Sequence, residues 1–140
     1  MEFVELISAA RSYLTRFDET HYPACFQAFA ADCAPLFAAV EDMDPEAAAA
    51  GLIDALEKGR AQLPRRAKKR AFEEERRVLA LFLAPAASLR GGAAMAFADT
   101  LCRQWNDRYP KSPFFTGTYE TIMKGFAPTI MGIPVQSFRS

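Results

Sequence analysis

"RRAKKRAFEEERRVLALFLAPAASLR", residues 65–90, decides the fold. Its first half is charged, while Val78 to Leu83 is apolar on every side. A helix that is polar at one end and apolar all round at the other must run from solvent into the middle of a core. Pro64 suits a first helical turn, where its missing N–H leaves no bond unmade. Pro85 and the pair Gly91-Gly92 are expected to close the helix.

Outward from this element the apolar spacing stays helical. Towards the N-terminus, "DMDP" sets Asp44 as an N-cap and Pro45 as a first helical residue. The stripe that follows is Ala49, Leu52, Leu56 and Leu63, with Ile53 beside it. Before it, Tyr22, Phe26, Phe29, Cys33, Phe37 and Val40 form another stripe, which Pro35 should kink or split. Phe3, Leu6, Ile7, Ala10, Leu14 and Phe17 line one face of a first helix. On the C-terminal side, Ala94, Phe97, Leu101 and Trp105 share a face that ends near Tyr109-Pro110. A short helix capped by Thr118 and an extended tail complete the expectation. Alanine occurs 26 times and loses no side-chain entropy in a helix, which favours the same class. The fold class read here is all-α: one domain over residues 1–140, a bundle of five or six helices with a short extended C-terminal tail.

Charge is uneven along the chain although it sums to zero. Residues 1–57 hold eleven acids and two bases, residues 58–90 ten bases and three acids, and residues 91–140 five bases and three acids. Such asymmetry marks either a polyanionic partner or two parts of one fold that attract each other. Arg65, Arg66, Lys68, Lys69 and Arg70 are the candidates for nucleic-acid contact. Against that reading, Glu73, Glu74 and Glu75 lie at helical spacing from Lys69, Arg70 and Arg77, the pattern of a solvated, self-paired face. Interleaved aromatics for base stacking are also missing from the stretch.

Chemistry by recognised motif is thin. His21 is the only histidine; His21 and Cys25 are four apart, but a metal site there needs ligands from elsewhere, and no metal or cofactor is expected. The phosphate-binding patterns GxGxxG and the P-loop do not occur. Cys25, Cys33 and Cys102 have no zinc spacing and read as small buried hydrophobes in a reducing compartment. The acidic, amphipathic start "MEFVELISAARSYL" is unlike a signal peptide, and the longest apolar run is far short of the roughly 20 residues of a membrane span. A cytoplasmic protein with no membrane partner is expected.

The last third is the informative one. Trp105, Arg108, Tyr109, Phe114, Phe115, Tyr119 and Glu120 mix aromatic groups with placed polar ones, as interfaces and small-molecule pockets both do. The leading expectation is a protein-interaction or scaffold module, a homodimer being one form of it, using this aromatic C-terminal third. The alternative is a small-molecule-binding protein or enzyme with a pocket near Trp105, Tyr109 and Tyr119, Glu120 serving as base and Arg108 as anion clamp. No catalytic motif selects between them.

Overall fold

Among the described residues of a computed structural model of the chain, five helices follow one another: α1 (Phe3–Glu19), α2 (Phe26–Ala38), α3 (Pro45–Ala61), α4 (Arg65–Leu89) and α5 (Gly92–Arg108). The structure describes residues 2–20, 26–89 and 92–112, and among them there is no strand. The fold is all-α. His21, Tyr22, Cys25, the helix expected at Thr118 and the C-terminal tail lie outside the described residues.

The start of α3 follows local chemistry. Asp44 accepts a hydrogen bond from the Ala47 N–H at 3.0 Å, and Pro45 occupies the first turn of α3. At the other end of α3, the chain leaves the helix after Ala61, and Leu63 is 38% exposed rather than part of the buried stripe. Pro64 is the cause, because a residue before proline is pushed out of the helical region. Leu63 instead closes a turn, its N–H donating to the Arg60 carbonyl at 3.1 Å.

α4 is the central element. Val78, Leu79, Ala80, Leu81, Phe82, Leu83, Ala84 and Ala86 are all buried, as an apolar belt on every side of a helix requires. The expected stop at Pro85 does not occur, and α4 continues through it to Leu89. Pro35 likewise lies inside an unbroken α2. A proline inside a helix removes one backbone bond, at about 3 kcal/mol. Pro35 sits on the exposed side of α2, where water can take up the freed carbonyl. Pro85 sits in the buried belt, where apolar residues before and after it hold the helix in place.

α4 packs most extensively on α2, and α5 on α3, with α1 against both α3 and α4. Leu6, Ile7, Ala10, Leu14 and Phe17 of α1, Phe29, Cys33 and Phe37 of α2, and Phe97, Leu101 and Trp105 of α5 join the α3 and α4 residues in one buried cluster. Phe17 meets Phe29 at 5.2 Å between ring centroids and Phe37 meets Phe97 at 5.6 Å, distances typical of packed aromatic pairs.

The uneven charge is used partly inside the fold. Arg77 reaches Asp18 at 2.7 Å, Arg103 bonds Glu46, and Arg108 bonds both Asp54 at 2.8 Å and Glu57 at 2.7 Å. In each case a basic group from the later chain meets an acid from the first 57 residues. The self-paired ladder expected along α4 is different in the structure. Glu74 pairs with Arg11 of α1 at 3.0 Å, and Glu75 with Arg60 of α3 at 2.9 Å. A helix wedged between two others presents its side chains to them before it presents them to itself.

Candidate functional site

The described end of the aromatic third converges with α3 and α4 on a group of five side chains: Arg60, Phe72, Glu75, Trp105 and Tyr109. Trp105 is fully buried and lies stacked on Phe72, with centroids 5.5 Å apart and planes 18° apart. Tyr109, one turn later on the same face of the chain, meets Trp105 at 4.5 Å and the edge of Phe72 at 5.0 Å. Arg60 closes the group. Its guanidinium lies 4.8 Å from the Phe72 ring centre and 5.3 Å from that of Tyr109. One nitrogen donates to the Glu75 Oε1 at 2.9 Å and another to the Tyr109 hydroxyl oxygen at 2.6 Å. Arg60 thus joins the end of α3 to α4 and to the end of α5.

Glu75 is the anomaly. It has no exposed surface, and its Oε2 has no hydrogen-bond partner among the described residues. Burial pushes its carboxyl up to about 7, against the opposing pull of the Arg60 and Arg11 charges; Glu57 and Glu74 add to the rise. Burial also pushes the Tyr109 hydroxyl up, while the bond from Arg60 pulls it down. A carboxyl near 7 has the acidity of a general base, but it must meet its substrate, and here Trp105 and Glu75 are both sealed from solvent.

Arg108 is bound to acids of α3. Asp54 and Glu57 both accept hydrogen bonds from its Nη1, and these bonds raise its pKa further. Two carboxylates already neutralise the charge that an anion clamp would use. Phe114, Phe115, Tyr119 and Glu120 lie outside the described residues. What the structure adds at their threshold is an anchor: the Trp105 indole N–H donates to the Ser112 carbonyl at 3.0 Å, and the Ser112 N–H to the Tyr109 carbonyl at 3.0 Å. The chain is therefore fixed to α5 at the residue that precedes Pro113.

Arg65, Arg66, Lys69 and Arg70 are exposed on the N-terminal half of α4, and Lys68 is half-buried. None of the five is ion-paired to another described residue. Among the described residues there is also a shallow groove of about 380 Å³ between α2 and Pro85, half of its lining residues alanines, with Gln27 and Glu41 its polar members. The described residues contain no cluster of three metal-ligating side chains, and no helix among them is long and apolar enough to cross a membrane.

Arg60 and Phe72 carry no role in the sequence reading, and Glu75 only that of an ion-pair partner along α4. For two of them a signal exists. Phe72, Glu75, Leu79, Phe82 and Ala86 are spaced 3, 4, 3 and 4, so the α4 core stripe extended backwards passes through Glu75. Arg60 has no such mark, because its partners are 15 and 49 residues away. No protein-family model matches the chain, and no curated protein or solved structure matches it either.

Proposed function

We propose that the protein is a helical interaction module whose contact segment is the aromatic stretch beginning after Ser112, including Phe114, Phe115, Tyr119 and Glu120. The observation that carries this reading is the state of the described members of the aromatic third. Trp105 is buried against Phe72, Tyr109 is held by Arg60, and Arg108 is bound by two carboxylates. All three are committed within the chain, so they act as the base of a contact surface rather than as the surface. Trp105 fixes Ser112 to α5, and twenty-eight residues rich in aromatic and apolar groups follow from that point. Apolar groups in that number bind something, whether their own bundle or a neighbour.

Size-exclusion analysis of the full chain in extract from its own host tests this reading. Phe115→Asp and Tyr119→Asp are expected to move the protein to a smaller species while its helical circular dichroism is unchanged. Loss of the helical signal would place the segment in the core and overturn the reading. An unchanged size with intact helices would overturn it as well.

One observation favours the second reading, a small-molecule pocket near Trp105, Tyr109 and Tyr119. The Glu75 Oε2 is buried without a hydrogen-bond partner among the described residues, and an unmatched polar atom costs about 1–3 kcal/mol unless a partner or water meets it. A small-molecule mass retained by the native protein and lost in Glu75→Gln would support this second reading over the first.

A further inference from the structure

We infer that the exposed cationic face of α4, Arg65, Arg66, Lys69 and Arg70, docks an acidic segment of a partner protein. This rests on the interaction-module reading and names the chemistry of the partner. The first ground is where the neutralising acids have gone. Glu74 bonds Arg11 and Glu75 bonds Arg60, so two of the three glutamates available to pair along α4 point to neighbouring helices instead. At 3.6 residues per turn the four cations fall within an arc of about 140° on one side of the helix. Glu73, also exposed, shares that arc, which leaves it strongly positive.

The second ground is position. Phe72 of α4 touches Trp105 and Tyr109 at the end of α5, and Trp105 holds Ser112. With a rise of about 1.5 Å per residue, Arg65 lies about 10 Å along α4 from Phe72, and Arg70 about 3 Å. The cationic face and the root of the aromatic segment therefore share one end of the bundle. A partner segment bound along this face of α4 would reach the end of α5, where Trp105 holds Ser112.

A nucleic acid fits less well. The cationic face is only about two turns long, and Phe72, its one aromatic neighbour on α4, is stacked on Trp105 and unable to stack on a base. The exposed acids Glu2, Glu5, Glu19, Glu41 and Asp42 elsewhere on the surface would repel a long polyanion, whereas a short acidic segment can avoid them.

The test uses the full chain with a fluorescein-labelled fifteen-residue peptide of glutamate and leucine, a lysine-and-leucine peptide of the same length, and a twenty-nucleotide single strand of DNA or RNA. The acidic peptide is expected to bind at about 50 mM salt, and at least about tenfold more weakly at about 200 mM, as screening shortens the reach of the charges. The combined variant Arg65→Gln, Arg66→Gln, Lys69→Gln, Arg70→Gln should lose at least about tenfold in affinity with its thermal melt preserved, since all four side chains are exposed. The basic peptide should not bind. Equal binding by the variant, no binding of the acidic peptide, or tighter binding of the nucleic acid would each overturn the inference. The two proposals fail separately. If the acidic peptide does not bind but Phe115→Asp still reduces the size of the native species, the inference falls and the interaction module stands. If peptide binding follows the four cations while Phe115→Asp changes nothing, the cationic face stands and the aromatic segment loses its role.

Discussion

Replacing Glu75 with glutamine changes almost no volume, yet it should reshape the dependence of stability on pH. In the native bundle the Glu75 carboxyl is raised from an ordinary 4.5 to about 7, chiefly by burial. Between those values the folded chain holds a proton that the unfolded chain has released. Stability therefore falls as pH rises in that window, by 2.303RT per unit of pH for one proton. The contribution is fully present below about 4.5 and is lost as pH passes through about 7. Integrated between pH 5 and pH 8, the loss from this one group is about 2–3 kcal/mol. Glutamine is a neutral isostere of the protonated acid and cannot ionise. The stability of Glu75→Gln relative to the parent should thus rise by about 2–3 kcal/mol from pH 5 to pH 8. In a chain of this length that amounts to a relative shift in Tm of roughly 7–10 °C. Urea denaturation of both proteins at four or five pH values provides the assay, and the comparison cancels every other titrating group. Parallel profiles for the two proteins would refute the reasoning, since they would mean that Glu75 titrates alike folded and unfolded.

Two further predictions concern the glycines of α3 and the thiols. A methyl group added at Gly51 would overlap the Phe3 ring, whereas one added at Gly59 would meet nothing within 4 Å. Gly59→Ala should stabilise by about 0.5–1 kcal/mol through helix propensity, and Gly51→Ala should destabilise by about 1 kcal/mol because overpacking outweighs the same gain. Denaturant midpoints decide this, and a Gly51→Ala protein as stable as Gly59→Ala would remove the contact between α1 and α3 at Phe3. Cys33 and Cys102 are both buried, and burial pushes the Cys33 thiol up to about 12. At pH 8 a disulfide reagent should therefore react rapidly with no more than one of the three cysteines in the native protein and with all three in guanidinium. Two or three fast thiols in the native state would contradict the packing of α2 and α5.

Much of the bundle was legible because its signals are local. Asp44 and Pro45 mark the start of α3 through a hydrogen bond that spans three residues, and Val78 to Leu83 declare the centre by having no polar side. Where local rules met tertiary packing, packing won. Pro85 is a strong helix breaker in isolation, but the buried residues on either side carry α4 past it. Leu63 is the opposite case: it fits the spacing of the α3 stripe, yet the local effect of Pro64 takes it out of the helix. At the candidate site, Trp105 and Tyr109 could be paired from the sequence because they are four apart on one helix face. Their union with Arg60, Phe72 and Glu75 could not, since it depends on how α3, α4 and α5 meet. The glutamates of α4 illustrate the same limit: helical spacing offers Lys69, Arg70 and Arg77 as partners, and the neighbouring helices supply Arg11 and Arg60 instead.

Native mass spectrometry of the full chain purified from its own host tests the interaction module most directly. An assembly is expected, either a whole multiple of the 15.5 kDa chain or the chain with a second protein, and Phe115→Asp should reduce it to a single chain. A single bare chain in the unmutated protein, or a single chain carrying only a small molecule, would contradict the module and return the aromatic segment to the core or to a ligand pocket.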